Sequence, residues 1–229
     1  NQKNFVSQIK NYNEITIILY QNNTSQIDKW NIKKMNKRFD NLLHFIDKNK
    51  KNNNQTVIIF SETEIPYVVS NNDNLLSYLK AKLDKNTIIL IGAIRKDRTN
   101  DNYYNSLFKI TNNHIDFFDK QILVPFGEYV PLNNFFSFIN KITLGSNNFS
   151  KGIGIRSLKL FDNYFIPTIC YENIFFEKII DENNINNPLI INITNDSWFG
   201  KFQGPYQHYY HSILRSQEYS KYLIRVSNN

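Results

Sequence analysis

Three side chains of complementary chemistry stand just past segments that read as β-strands: Glu62 after Val57–Phe60, Lys120 after Ile115–Phe118, and Cys170 at the end of Tyr164–Cys170. In an open α/β sheet the loops beyond the strand ends are where functional groups gather. A thiol is a nucleophile only as its thiolate, and a neighbouring carboxylate can take its proton while an ammonium group favours the anion. Attack on a carbonyl then develops a tetrahedral oxyanion that a fixed lysine can stabilise. With Glu62 as base, Lys120 as electrostatic clamp and Cys170 as nucleophile, the set is complete for acyl transfer. Spacing alone does not single it out. On the bare chemistry a solvated Glu62, a surface Lys120 and a packed, inert Cys170 outweigh it.

Strands and helices alternate along the chain that must position these groups. Ile15–Tyr20, Val57–Phe60 and Thr87–Ile94 are β-branched apolar runs that read as buried strands. Between them, Trp30–Asp47 carries Trp30, Phe39, Leu42, Leu43, Phe45 and Ile46 near helical spacing, and Asn74–Leu83 reads as a second helix. Tyr103–Ile110 alternates like a half-exposed strand and pairs with His114–Phe118 as a hairpin across Thr111-Asn112-Asn113. Pro131–Ile142 is weakly helical and Leu144–Ile155 reads as a loop. Strands near Arg156–Phe161 and Tyr164–Cys170, a helix at Ile174–Asp181, a strand at Leu189–Thr194, a helix around Gln207–Lys221 and a strand at Tyr222–Val226 complete the series. The pattern predicts a layered α/β fold, and no repeat or composition break divides residues 1–229, so one domain is expected.

Composition narrows the classes. The chain has 229 residues with 27 Lys+Arg against 20 Asp+Glu, and 41% hydrophobic content is enough for a real core. Its single cysteine excludes an internal disulfide framework and multi-cysteine metal sites. No apolar run approaches the roughly 18 residues of a bilayer span, so the segment reads as soluble, and no signal peptide is visible. It begins with Asn1, as a piece of a longer protein would. The cations are scattered, as at Lys33-Lys34 and Lys48-Asn49-Lys50-Lys51, and mixed with acids along the chain, which suits a membrane surface or plain solvation better than nucleic acid. His208 and His211, three apart on an expected helix, lack a third ligand nearby, so no metal is expected. Gly152 and Gly154 lack the strand-to-helix context of a phosphate loop. Asn148-Phe149-Ser150 matches a glycosylation acceptor only because asparagine is so abundant.

The neighbours of the three residues carry more information. Ser61-Glu62-Thr-Glu-Ile-Pro66, Lys120-Gln-Ile-Leu-Val-Pro-Phe-Gly-Glu128-Tyr-Val-Pro131, Ile169-Cys170-Tyr171-Glu172 and Asn195-Asp196-Ser-Trp198-Phe-Gly200 occur in that order. Together they resemble the nitrilase-like domain of the apolipoprotein N-acyltransferase family, bacterial enzymes that add the third acyl chain to lipoproteins. The resemblance runs from Leu19-Tyr-Gln21 and Lys29-Trp30 to Leu223–Asn229. It implies a four-layer αββα sandwich, with Glu62 as general base, Lys120 as the oxyanion-stabilising lysine and Cys170 as nucleophile. Glu128 matches a second essential acid, Tyr171 and Glu172 residues that shape the pocket behind Cys170, and Trp30 and Trp198 tryptophans of the substrate-binding region. Phe60-Ser61 stands where the family usually has Trp-Pro, and Glu64 competes with Glu62 as the base. The resemblance further implies a phospholipid acyl donor, a diacylglyceryl-modified apolipoprotein acceptor, a thioester intermediate and no cofactor. It implies a location at the bacterial inner membrane, this domain facing the periplasm, with membrane segments outside the given residues. The residues alone leave open a soluble amidase using the same triad and a non-catalytic binding domain.

Overall fold

The computed structural model describes residues 15–29, 31–50, 54–70, 73–129, 148–154, 156–200 and 202–228. Trp30 and the helix expected at Pro131–Ile142 lie outside them, as do residues 144–147 and 155 of the loop expected at Leu144–Ile155. In chain order the elements are β1 (Thr16–Tyr20), α1 (Gln26–Lys29), α2 (Ile32–Asn49), β2 (Thr56–Phe60), β3 (Val68–Ser70), α3 (Asn74–Ala81), β4 (Thr87–Lys96), β5 (Tyr103–Ile110), β6 (Ile115–Asp119), β7 (Leu158–Leu160), β8 (Asn163–Ile169), β9 (Leu189–Asn195), α4 (Gly204–Glu218) and β10 (Tyr222–Asn228). Two 3₁₀ segments, Cys170–Lys178 and Asp196–Phe199, follow β8 and β9 directly.

Two sheets form. The first runs β1-β2-β4-β5-β6 with β3 added to one end of β4, and the second runs β10-β9-β8-β7. Period-two alternation along β2 explains how they stack. Val57 and Ile59 point to the second sheet, into a core shared with Leu107, Phe118, Phe165, Ile169, Ile191 and Ile193. Ile58 and Phe60 point the other way, against Leu42 and Ile46 of α2 and Leu76 and Leu79 of α3. On the far side of the second sheet, Ile166 and Ile190 meet Phe176 of the first 3₁₀ segment and Ile179 just after it, with Tyr219 at the end of α4. Helix, sheet, sheet, helix is the αββα sandwich. Strands covered on both faces need continuous apolar runs, which is why β2 and β4 read so plainly from sequence.

Three expectations are corrected. β1 is an edge strand whose outward residues Ile17 and Leu19 are 37% and 49% exposed; only Ile18 and Tyr20 pack on the α2 core. β5 is more buried than expected because it lies between β4 and β6 and feeds both cores. The helix expected at Ile174–Asp181 begins earlier, at Cys170, as 3₁₀ turns broken at Phe175, where φ is −100° and ψ 48°. The chain turns sharply off β8 there, and that turn overrides the helical spacing downstream. Helix starts follow ordinary capping: Asn31 accepts from Lys33 N at 3.0 Å and Asp73 from Leu75 N at 2.9 Å. No helix among the described residues is long and apolar enough to cross a membrane.

Candidate active site

Glu62, Lys120 and Cys170 converge between the two sheets, each delivered by the strand that precedes it. Glu62 follows β2 in a turn that lies flat on β4, with Gly92 N donating to Ser61 O at 3.2 Å and Ile65 N to Gly92 O at 3.1 Å. Any β-carbon at Gly92 would sit 2.5 Å from Thr63 N and 2.7 Å from Glu62 Cα, so only glycine lets the turn approach so closely. Lys120 follows β6, and its backbone is clasped by Asn105 O, which accepts from Lys120 N at 2.8 Å, and by Gly152 N, which donates to Lys120 O at 2.8 Å. Cys170 ends β8 in left-handed backbone, φ 55°, a conformation that costs a non-glycine residue of order 1–3 kcal/mol and concentrates at functional sites. The turn carries the thiol off the sheet into the shared core, where the residue is 9% exposed.

Polar partners hold the carboxylates and the ammonium in a fixed relation. Glu62 Oε1 accepts from Asn105 Nδ2 at 2.6 Å and Oε2 from Asn195 N at 2.8 Å. Lys120 Nζ lies 3.9 Å from Glu62 Oε1 and 2.9 Å from both oxygens of Glu128. Asn105 Nδ2 also donates to Glu128 Oε1 at 2.9 Å, and Val124 N to Oε2 at 2.9 Å, so one amide bridges the two acids. Glu64, the competing base, faces a different set: Ser61 Oγ at 2.6 Å, Asn22 Nδ2 at 3.0 Å and the Arg38 guanidinium at 3.9 Å. Ser61, which replaces the residue expected from the resemblance, thus ties the turn to Glu64.

Charge and burial set the proton affinities. Burial pushes the Glu62 carboxyl up from its ordinary value; Lys120 and the Asn105 hydrogen bond pull back only in part. Burial, then the Glu62 charge, pushes the Cys170 thiol up to about 12, against the pull of Lys120 and a Thr194 hydrogen bond. Burial alone would lower Lys120, but the charges of Glu128, Cys170 and Glu62 outweigh it and hold the ammonium above its ordinary value. At rest, therefore, the pocket holds a neutral thiol beside a charged Lys120 ammonium.

Glu172 anchors the elbow from below and is wholly buried. Its Oε2 accepts from Ile169 N at 2.8 Å, capping the 3₁₀ turn, and its Oε1 from Gln121 N at 2.8 Å, Ile122 N at 3.0 Å and Arg156 Nη2 at 3.0 Å. One carboxylate therefore ties the segment after Lys120 to the turn that holds Cys170. Tyr171 donates to Leu123 O at 2.6 Å, and its ring lies 5.5 Å beneath Lys120 Nζ. Trp198 is in the 3₁₀ segment after β9, three residues beyond Asn195, and is 44% exposed. His208 is buried with Nδ1 2.8 Å from Asp196 Oδ1, whereas His211 is exposed, so the two do not share a ligand.

Asn105, Asn195, Gly92, Arg156 and Lys29, whose ammonium donates to Glu62 O at 2.9 Å, have structural roles here that the sequence did not assign. Asn195 and Lys29 sat within motifs that carried the resemblance, which was a signal. Asn105 and Arg156 had none, because nothing local separates a buried polar residue on a strand from an exposed one.

The carbon-nitrogen hydrolase model matches residues 19–229. Apolipoprotein N-acyltransferases of Wigglesworthia glossinidia brevipalpis, Rickettsia typhi and Brucella suis are 36%, 33% and 31% identical, over 93%, 95% and 94% of this chain. The chain spans only 44%, 44% and 42% of those relatives' lengths. Among solved structures, Saccharomyces cerevisiae Nit3, a member of branch 10 of the nitrilase superfamily, superposes with TM-score 0.63 at 16% identity, over 93% of this chain and 75% of that one. A CN-hydrolase superfamily protein of Xanthomonas campestris, solved with an arsenic adduct in its active site, gives 0.64 at 14% identity, over 92% and 74%. At those identities the likeness speaks for the fold, while the family match covers nearly the whole chain, and on that match the chain belongs to the carbon-nitrogen hydrolase family.

Proposed function

We propose that this chain is the catalytic part of an apolipoprotein N-acyltransferase. The observation that carries the reading is the convergence of Glu62, Lys120 and Glu128 on Cys170 at the left-handed end of β8. The names of the relatives support the substrate class, a lipid acyl donor and a lipoprotein acceptor. The distances and burial support the triad roles. Because Cys170 rests as a thiol in a pocket with two carboxylates, proton transfer to Glu62 accompanies attack on the ester carbonyl of a phospholipid. The carbonyl oxygen becomes an oxyanion against Lys120. When the C–O bond breaks, the proton held by Glu62 passes to the departing lysophospholipid oxygen, leaving a thioester on Cys170.

The second half retraces these steps with a different nucleophile. The α-amino group of the diacylglyceryl-modified cysteine that begins the apolipoprotein attacks the thioester, Glu62 takes its proton, and collapse of the second oxyanion returns the thiol and releases the amide. Glu128 keeps Lys120 charged and in place; Glu172 and Tyr171 hold the pocket behind the thiol; Trp198, half-exposed beside the site, and Trp30 contact substrate. No cofactor is needed. With such a donor and acceptor the parent protein works at the bacterial inner membrane, with this domain on the periplasmic face.

Trapping the intermediate tests the reading. Incubation of the full-length protein with phospholipid and no acceptor should add one acyl mass to Cys170 that hydroxylamine removes, and Cys170→Ser should show no such thioester. An adduct on another residue would overturn the assignment. Brisk hydrolysis of small amides with no acyl adduct from phospholipid would favour a soluble amidase using the same residues.

A further inference from the structure

Lys29, a second lysine, reaches the same site from the opposite direction. It ends α1, is 2% exposed, and its ammonium donates to the backbone carbonyl of Glu62 at 2.9 Å. Its own carbonyl accepts from Arg38 Nη1 at 2.7 Å, and Arg38 in turn faces Glu64, which Ser61 and Asn22 hold. A buried cation is costly to desolvate and persists only where its surroundings return that energy. Here the surroundings are the carbonyl and charge of Glu62, the carboxylate of Glu64 and, further along, Cys170, with Arg38 opposing. Surface anchoring would need no such burial.

We infer that Lys29 is a positioning residue of the acyl-transfer site, gripping the Glu62 turn from behind and adding a second positive charge that favours ionisation of Cys170. This rests on the reading of Glu62 as base. The grip is mechanical as well as electrostatic. Gly92 supports the turn from β4, Asn105 and Asn195 hold the carboxylate, and Lys29 holds the backbone carbonyl of the same residue. Burial lowers the Lys29 ammonium to about 8, against the pull of Glu62 and Glu64, so its charge is present at neutral pH and is lost as pH rises through that value.

The alkylation rate of Cys170 by iodoacetamide at pH 7 reads this contribution directly, without any lipid substrate. The comparison is the full chain against Lys29→Met and Lys29→Gln, with acyl-enzyme formation by Glu62→Gln from phospholipid as the separate test of the base, each variant checked for folding by circular dichroism and urea unfolding. Lys29→Met and Lys29→Gln should react about tenfold more slowly, on the scale of losing a charged hydrogen bond, with their pH–rate curves moved to higher pH. A purely structural lysine would alter unfolding and leave that curve in place. If either folded Lys29 variant is alkylated at the wild-type rate while Glu62→Gln forms no acyl-enzyme from phospholipid, the inference is wrong and the base assignment stands. If Glu62→Gln instead forms the acyl-enzyme from phospholipid at the wild-type rate, the base assignment fails, and Lys29 has no base to position. Should Lys29→Met not fold, the rate of Lys29→Gln, which can still donate to the Glu62 carbonyl, decides between the two outcomes.

Discussion

A single methyl group at Gly92 should separate the fold from the chemistry. In Gly92→Ala the new β-carbon would lie 2.5 Å from Thr63 N, 2.7 Å from Glu62 Cα and 2.7 Å from Ser61 O. All three are backbone atoms of one turn, so no side-chain rotation relieves them. Restoring ordinary contact at 3.4 Å requires a movement of about 0.9 Å, the difference from 2.5 Å, and that movement carries Glu62 with it. The Glu62 carboxylate is held by hydrogen bonds of 2.6 Å from Asn105 and 2.8 Å from Asn195, which tolerate only about 0.5 Å before they weaken. Overpacking of this kind costs roughly 1–3 kcal/mol of stability, while a base displaced by about 1 Å costs on the order of 10²-fold in rate. The assay is single-turnover acylation of Cys170 beside urea unfolding of the same preparation. A variant that loses the stability but acylates at the wild-type rate would refute the claim that Gly92 keeps Glu62 where the chemistry needs it.

Other perturbations divide the remaining roles. Glu62→Gln should abolish acyl-enzyme formation, whereas Lys120→Ala should slow both acylation and deacylation by roughly 10²–10³, since each passes through an oxyanion; single-turnover measurement of the two halves decides, and an effect on one half alone would refute the clamp. Because burial raises Glu62, the acylation rate should rise with pH through a midpoint above the ordinary carboxylate range, and a midpoint at or below that range would contradict the burial argument. Burial alone would raise Asp196, yet its hydrogen bond to His208 and the charge of Arg225 outweigh it and hold the carboxyl below its ordinary value. The stability it contributes is present above roughly pH 4 and lost as pH falls through the lower folded value. Asp196→Asn should therefore flatten the fall in melting temperature between about pH 5 and 3, and an unchanged acid limb would show that the cluster does not contribute.

The order and type of most elements were legible because two packed sheets demand runs such as Val57–Phe60 and Thr87–Ile94, apolar on both faces, and local composition reports that demand. So were the strand-end positions of Glu62, Lys120 and Cys170, and the motifs around them. What sequence alone did not determine was everything that depends on a neighbour distant in the chain. Ile15–Tyr20 has a buried strand's composition, yet it lies at a sheet edge, because edge position is set by which strands pair and not by the strand's own residues. Cys170 and Glu62 are 108 positions apart, and only the stacking of β8 on β2 places one against the other. Asn105 bridges two carboxylates and Lys29 clasps a carbonyl 33 residues away, and both are buried polar groups with no periodicity to mark them. Hydrophobic burial leaves a repeating trace along the chain; a hydrogen bond between remote segments leaves none, so the polar architecture of the site was decided by the tertiary structure.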